Sequence, residues 1–213
     1  MNAKLLAILA LAALAVPAEA QPPTYRQYEA QAFDAALKDK DVARAESLMA
    51  HAVGAATTAV GPTHPDTARL LSYEALLLDQ QNRAAAAEPL YLRAIAILEN
   101  PALALPADLA TALELFAAHL TSAGRAAEAG KLLERARPIR ARDVREMAPS
   151  SESVPPARPI GKDVAAPVVV SKVEPSYSDI AKLAKHQGGV LMKIEIGTDG
   201  KVRALELGRS VGL

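Results

Sequence analysis

The sequence predicts a mainly α-helical protein, built of stacked helix pairs and followed by a small α+β module of one helix and an antiparallel hairpin. Three observations predict it: a segment that recurs along the chain, an alanine-rich composition with only 3% aromatic residues, and alternating apolar residues near residue 200. Small side chains suit closely packed helices, and alternation is typical of a strand. With 213 residues the chain can hold one ordinary domain and a smaller second one.

The recurring segment reads AESLMAHA at residues 45–52, AEPLYLRA at 87–94 and AGKLLERA at 129–136, each copy starting 42 residues after the last. In the second copy Leu71, Ala75 and Leu78 lie at i, i+4 and i+7, which predicts one apolar face on a helix. A second apolar helix follows over residues 87–97. One such pair cannot bury its own apolar face, so the copies are expected to stack.

Residues 64–97, HPDTARLLSYEALLLDQQNRAAAAEPLYLRAIAI, resemble a tetratricopeptide repeat of the kinesin-light-chain type, with its spacing and its AEPLY segment. The resemblance extends over about residues 25–145 and is weakest in the first copy, where Glu29 interrupts the apolar face. Asn82 stands where the family prefers glycine, and asparagine tolerates the left-handed conformation. Pro138 falls inside the last helix of the third copy and is expected to kink or end it.

The resemblance implies that the chain binds peptides in a concave groove, lined by the first helix of each pair. In the second copy that groove would present Arg69, Ser72, Leu76, Asp79 and Gln80. In the third copy it would present Thr111 and Glu114, followed by Ala118, Thr121 and Ser122. For any one of these residues the alternative is a solvated surface position, and that alternative stays open.

The first twenty residues predict export. Asn2 and Lys4 precede an apolar run over residues 5–16, and Pro17 and a small-residue AEA stretch follow. This is the pattern of a secretory signal peptide. As a helix the apolar run would span about 18 Å, against roughly 30 Å for a bilayer core. We predict cleavage after Ala20 and a periplasmic protein; the alternative is an uncleaved N-terminus anchored in the inner membrane and facing the periplasm.

The predicted domains are a signal peptide at 1–20, helical repeats at 21–147, a proline-rich linker at 148–168 and a small module at 169–213. The linker holds five prolines and no apolar period, which favours an extended chain. Just before it, residues 131–145 carry six basic and two acidic residues. That run predicts a solvated helix face, with a phosphate-binding or lipid-headgroup surface as the alternative.

A hairpin that turns at Asp199-Gly200 is predicted within residues 190–207. A two-residue turn there fixes three cross-strand pairs: Ile194 with Leu205, Met192 with Leu207, and the opposite charges Lys193 with Glu206. The first two pairs would share one apolar face, left partly uncovered by so small a sheet.

A short helix is predicted before the hairpin. Ile180 and Leu183 would lie on one face of it. Either Ser176 or Ser178 is expected to cap its start, and Gly188-Gly189 is expected to stop it.

This order of helix and hairpin resembles the carboxyl-terminal domain of TonB-type energy transducers. The matching positions are Pro175, Tyr177, Ala181, Gly189, Val190, Ile194, Asp199, Gly200, Val202 and Ser210. Ser178 departs from the family, which usually has proline there, and the family continues with a second helix and a third strand. That third strand captures a receptor segment by strand addition, so no binding residue is carried across. The resemblance implies a Gram-negative cell envelope, transmembrane transport and an outer-membrane receptor as partner, with self-association through the incomplete sheet.

Enzymatic function is not expected. The stretch GRSVG at 208–212 matches a nucleophile-elbow pattern around Ser210, but the following residues cannot supply its helix and histidine. The four histidines are scattered, cysteine is absent, and no glycine-rich phosphate loop occurs. We predict no catalytic residue, no cofactor and no metal. Lys+Arg and Asp+Glu both number 24, so no net charge recruits nucleic acid.

The favoured prediction is a non-catalytic periplasmic adaptor of the TonB family, which binds peptide segments in the repeat groove and an outer-membrane receptor segment by strand addition. The first alternative is a TonB-type energy transducer for outer-membrane transport, held in the membrane by an uncleaved N-terminus. The second is a secreted hydrolase, supported only by the pattern around Ser210.

Overall fold

A computed structural model describes residues 24–100, 102, 106–147, 159–161, 164–168, 170–171, 176–185 and 191–209. The predicted signal peptide, most of the predicted linker, Gly188-Gly189 and Ser210 lie outside these residues. Within them, no helix combines the length and the apolar character needed to cross a bilayer.

Six helices form three consecutive antiparallel pairs. They are α1 (Tyr25–Leu37), α2 (Val42–Ala59), α3 (Pro65–Gln80), α4 (Ala84–Leu98), α5 (Pro106–Ser122) and α6 (Ala126–Met147). Each helix packs most closely on its pair mate, and the pairs stack through α2 on α3 and α4 on α5. The first helices of the second and third pairs, α3 and α5, also contact each other directly. The stacked helix-pair fold predicted from the repeat is therefore confirmed.

The core follows the repeat residue by residue. Ala45, Ala87 and Ala129 occupy equivalent positions on α2, α4 and α6 and are at most 2% exposed. Two helical turns further on, Ala52, Ala94 and Ala136 are equally buried. A methyl group at each point allows the helix axes to approach closely, and larger side chains such as Met49, Leu71 and Leu113 fill the layers between.

The turn between the two helices of each pair has one residue in the left-handed conformation. Its φ is 59° at Lys40, 59° at Asn82 and 76° at Gly124, positions one repeat apart. After Asn82 and Gly124 the next amide closes the preceding helix: Arg83 N donates to Leu78 O at 3.0 Å and Arg125 N to Leu120 O at 2.7 Å. The expectation that Asn82 tolerates the family's glycine position is confirmed.

Pro138 does not end its helix, so of the two expected effects, a kink or an end, the end is wrong. α6 runs from Ala126 to Met147 with Pro138 inside it. The proline removes one backbone donor, but the residues that follow are held by tertiary contacts. Ile139 packs against the core, and Arg140 makes two hydrogen bonds to Glu114.

A short helix, α7 (Asp179–Leu183), precedes the hairpin. Ser178 caps it, because its Oγ accepts a hydrogen bond from Ala181 N at 3.3 Å, so Ser178 rather than Ser176 is the N-cap. The helix ends at Leu183, before the predicted stop at Gly188, and this part of the prediction is wrong. Lys185 adopts φ 51°, a left-handed conformation that ends the helix without a glycine.

Strands β1 (Leu191–Ile196) and β2 (Val202–Arg209) form the antiparallel hairpin. Its three predicted pairs are confirmed: Ile194 with Leu205, Met192 with Leu207 and Lys193 with Glu206. The predicted two-residue turn is wrong. Gly200 N donates to Gly197 O at 2.9 Å and Gly197 N to Lys201 O at 2.8 Å, which closes a loop of residues 198–200 with Gly200 at φ 78°. A register shift at Ile196, which pairs with Val202, restores the predicted pairing beyond the turn.

Candidate peptide-binding groove

The first helix of every pair contributes to one side of the repeat stack, which we call the groove face and define by α1, α3 and α5. All seven residues predicted to bind a peptide lie on α3 or α5. Their side chains are of three kinds: those bonded to other helices of the repeats, those that take part in packing, and Gln80, which contacts a later segment of the chain.

Arg69 is the first of the charged residues, and it is bound within the protein. Its guanidinium makes two hydrogen bonds to the Glu29 carboxylate of α1, with Nη2 3.1 Å from Oε2. It also lies 5.4 Å from the centre of the Tyr73 ring. Burial acts to lower the pKa of Arg69, but the hydrogen bonds and charge of Glu29 outweigh it and raise the pKa above its ordinary value. Glu29, the charged residue that interrupts the apolar face of the first copy, thus joins α1 to α3.

Glu114 and Thr111 are held from α6. The Glu114 side chain is only 5% exposed, and Arg140 reaches it with Nη2 2.7 Å from Oε2 and Nε 3.2 Å from Oε1. Arg140 Nη2 also donates to Thr111 Oγ1 at 2.9 Å, and Thr111 in turn donates to Ala107 O. A bidentate pair of this kind fixes both side chains in one orientation.

Asp79 bridges three helices. One carboxylate oxygen accepts the hydroxyl hydrogen of Tyr91 from α4 at 3.0 Å, and the other lies 2.8 Å from His119 Nδ1 on α5. Tyr91 is fully buried and the His119 side chain is 3% exposed, so both depend on this carboxylate. Burial is the main cause, and Asp79 a further one, of the raised pKa of Tyr91. No sequence pattern predicts this contact, since Asp79 and His119 are 40 residues apart in the chain.

Ser72 and Leu76 take part in packing. Ser72 is 2% exposed, and its hydroxyl donates to Ala68 O one turn back at 3.3 Å, so its side chain does not reach the surface. Leu76, on α3, is half-buried and packs against the core cluster.

Gln80, at the end of α3, is the predicted residue that contacts the short helix α7. Its Nε2 donates to the Leu183 carbonyl oxygen at 2.7 Å. That oxygen belongs to α7, which also packs on α1. Ile180 and Leu183 of α7 join the same hydrophobic cluster as the buried alanines of α1. The structure therefore places a short segment of the chain's own carboxyl-terminal part on the groove face, which the sequence did not predict.

The opposite side of the stack carries a repeating ion pair. Arg83 Nη1 lies 3.3 Å from Glu46 Oε2, and Arg125 Nη1 lies 2.7 Å from Glu88 Oε1. Both arginines stand just before the second helix of a pair, and both glutamates lie on the second helix of the preceding pair. Each contact is thus the previous one moved along by one repeat.

Three of the six basic residues of the run in α6 lie against carboxylates. Arg135 binds Glu99, Arg137 lies 3.6 Å from Glu134, and Arg140 binds Glu114. The guanidinium groups are directed to carboxylates, which favours the solvated-face interpretation of this run. In the parts of the chain that the structure describes, no three His, Cys, Asp or Glu side chains cluster closely enough to hold a metal ion.

Comparisons with known proteins agree with this architecture. Residues 30–100 match the family model described as tetratricopeptide repeat. The crystal structure of BtubC (BKLC) from P. vanneervenii is similar with a TM-score of 0.52 and 21% sequence identity, over 65% of this chain and 54% of that one. The chain therefore spans about half the length of that protein, and the likeness shows the fold. A search of curated proteins gave no match. Tetratricopeptide repeats suggest a role in protein–protein interaction, and the family match does not extend to the hairpin.

Proposed function

We propose that the chain is a non-catalytic protein–protein interaction protein, whose groove face binds short peptide segments of its partners. The observation that carries the proposal is the hydrogen bond from Gln80 Nε2 to a backbone carbonyl at 2.7 Å. A side-chain amide that binds the main chain recognises a peptide without depending on its sequence, while apolar neighbours such as Leu76 select side chains.

The internal pairing of the groove-face charges supports the proposal. Arg69 and Glu114 are each fixed by an oppositely charged partner, and Asp79 is fixed by Tyr91 and His119. These bonds hold the helices α1, α3, α4, α5 and α6 in one arrangement before any ligand binds. A preorganised surface loses less conformational entropy on binding, so weak individual contacts suffice.

The test is a selection of short displayed peptides against the full-length chain, followed by affinity measurements on two glutamine variants. Gln80→Ala is expected to weaken the selected peptides by about three- to tenfold, the value of one hydrogen bond. Gln81→Ala is the matched control, because within the described residues the neighbouring Gln81 side chain donates to Leu77 O, one turn back on α3, and not to α7. Peptides that bind equally well to both variants would count against the groove face as the binding site.

We also propose that the protein is exported to the periplasm, as residues 1–20 favour, and that it acts there as an adaptor related to TonB-type proteins. The support is the signal-peptide pattern and the confirmed hairpin register at matching positions such as Ile194. The intact mass of protein from a periplasmic fraction tests it. A mass that corresponds to a chain starting at Gln21 supports the adaptor. A membrane-bound species that retains residues 1–20 supports the alternative, an energy transducer anchored by its N-terminus.

A further inference from the structure

The segment on the groove face belongs to a part of the chain that follows the repeats by a long connection. The last repeat helix ends at Met147 and α7 starts at Asp179, so residues 148–178 join them. α7 nevertheless returns to the first two pairs, where it packs on α1 and accepts the hydrogen bond from Gln80 of α3. Ile180, Ala181 and Leu183 are 9%, 5% and 5% exposed there.

We infer that α7 is an internal ligand of the groove face, and that a partner peptide must displace it to bind. This inference rests on the proposed function of the same face. It follows from the shared contact: Gln80 has one Nε2 directed at the Leu183 carbonyl, and a peptide at this place requires the same donor and the same apolar surface. Two ligands that need one site exclude each other.

The docking of α7 has the features of a reversible contact. Helices as short as its five residues do not persist alone in water, so α7 is ordered by the surface that it covers. Within the described residues, its anchors are three buried side chains, the partly buried Ala184 and the hydrogen bond from Gln80. The tether of residues 148–178 compensates by keeping α7 near the face at a high effective concentration.

The chemistry of α7 also describes the partner that would replace it. Its buried side chains Ile180 and Leu183 are three residues apart, so they lie on one face of a helix. Asp179 and Lys182, 3.0 Å apart between Oδ1 and Nζ, form an exposed pair on α7 itself. The matching ligand class is a short amphipathic helical segment with two aliphatic residues three positions apart and charged residues on its exposed face.

The experiment releases α7 from the groove face of the full-length protein and then measures the binding of a peptide to that face. Ile180→Asp combined with Leu183→Asp places charges where α7 is buried and should release it. A labelled peptide of residues 176–185, SYSDIAKLAK, is then expected to bind this double variant at least about tenfold more tightly than the wild type, because the competing segment is gone. Lys182→Asp is the control, since it places the same residue on the exposed face of α7 and should bind the peptide as weakly as the wild type does.

Three outcomes are informative. Tighter binding to the double variant, weakened again when Gln80→Ala is added, supports the inference. Equal binding to the wild type and the double variant, or no binding to a double variant that circular dichroism shows to be folded, overturns it. If the double variant unfolds, hydrogen exchange on the wild type replaces it: a saturating selected peptide should expose the amides of Ala181 to Ala184, and unchanged protection would overturn the inference.

The proposed function fails separately, through selected peptides that are insensitive to Gln80→Ala. Peptides that require Gln80 but bind the wild type and the double variant equally leave the groove face as a binding site and remove only the competition by α7.

Discussion

Arg140→Ala is expected to lower the free energy of unfolding by about 3 kcal/mol, because it removes the bidentate partner of a carboxylate that stays buried. The Glu114 side chain is 5% exposed and the Arg140 side chain 18%, so water replaces little of the lost interaction. Thr111 loses a hydrogen bond in the same variant. Because this cluster joins α5 to the part of α6 beyond Pro138, the loss should also loosen the end of that helix.

Urea unfolding followed by circular dichroism measures the effect. Arg137→Ala is the matched control, since Arg137 lies one turn earlier on α6, is 73% exposed and pairs only with the exposed Glu134. An exposed pair of this kind contributes little, so the control should change stability by less than about 0.5 kcal/mol. Equal losses in the two variants would show that the Glu114–Arg140 pair has no special weight.

Asp79→Ala is expected to cost about 2–4 kcal/mol, because it leaves two buried polar groups without their acceptor. The Tyr91 hydroxyl and His119 Nδ1 both bind this carboxylate, and both residues are buried. The three residues lie on α3, α4 and α5, so the variant should weaken the stacking of the second pair on the third.

Thermal and urea unfolding of three variants separate this role from peptide binding. Asp79→Asn keeps one acceptor oxygen and should lose less than Asp79→Ala. Thr121→Ala changes the equivalent position of the third copy, where the hydroxyl donates only to Ala117 O, and should be close to neutral. A stable Asp79→Ala variant with impaired peptide binding would contradict the structural role and restore Asp79 as a ligand-binding residue.

The fold could be predicted from the sequence because its causes are local and repeated. Alanine recurs at positions 45, 87 and 129, where two helix axes approach each other. All three alanines are buried, as the close packing of the repeat requires. The left-handed conformation of Asn82 could also be predicted from the sequence. Few residue types adopt a left-handed φ, and the position of Asn82 in the repeat is fixed. The expectation that Pro138 could end its helix was wrong because the tertiary contacts of Ile139 and Arg140 override a local preference.

The hairpin illustrates how a register can be right although its turn is wrong. Apolar alternation sets the pairing of Ile194 with Leu205, and a slip by one residue would turn every side chain to the other face. The loop at Gly200 is one residue longer than predicted, and the shift at Ile196 absorbs the difference. Pairing is thus determined by the strands, and the turn adjusts to it.

The candidate site was predictable only as a face. The resemblance to tetratricopeptide repeats implied that Arg69, Asp79 and Gln80 share one face of a helix, and all three lie on α3. A resemblance of this kind does not reveal partners that come from distant helices. Glu29, His119 and Leu183 decide what these three side chains do, and each lies far away in the sequence. That is why residues expected to meet a ligand are mostly occupied with the protein itself.

The repeating ion pair between successive helix pairs bears on how such an array can change length. Glu46 meets Arg83 and Glu88 meets Arg125 through the same two positions of the unit. Loss of residues 47–88 would bring Arg125 opposite Glu46, and duplication of the same stretch would create one more contact of the same kind. Each unit therefore carries both a glutamate and an arginine of this ion pair. Genetic gain or loss of whole units consequently preserves the contact between neighbouring units.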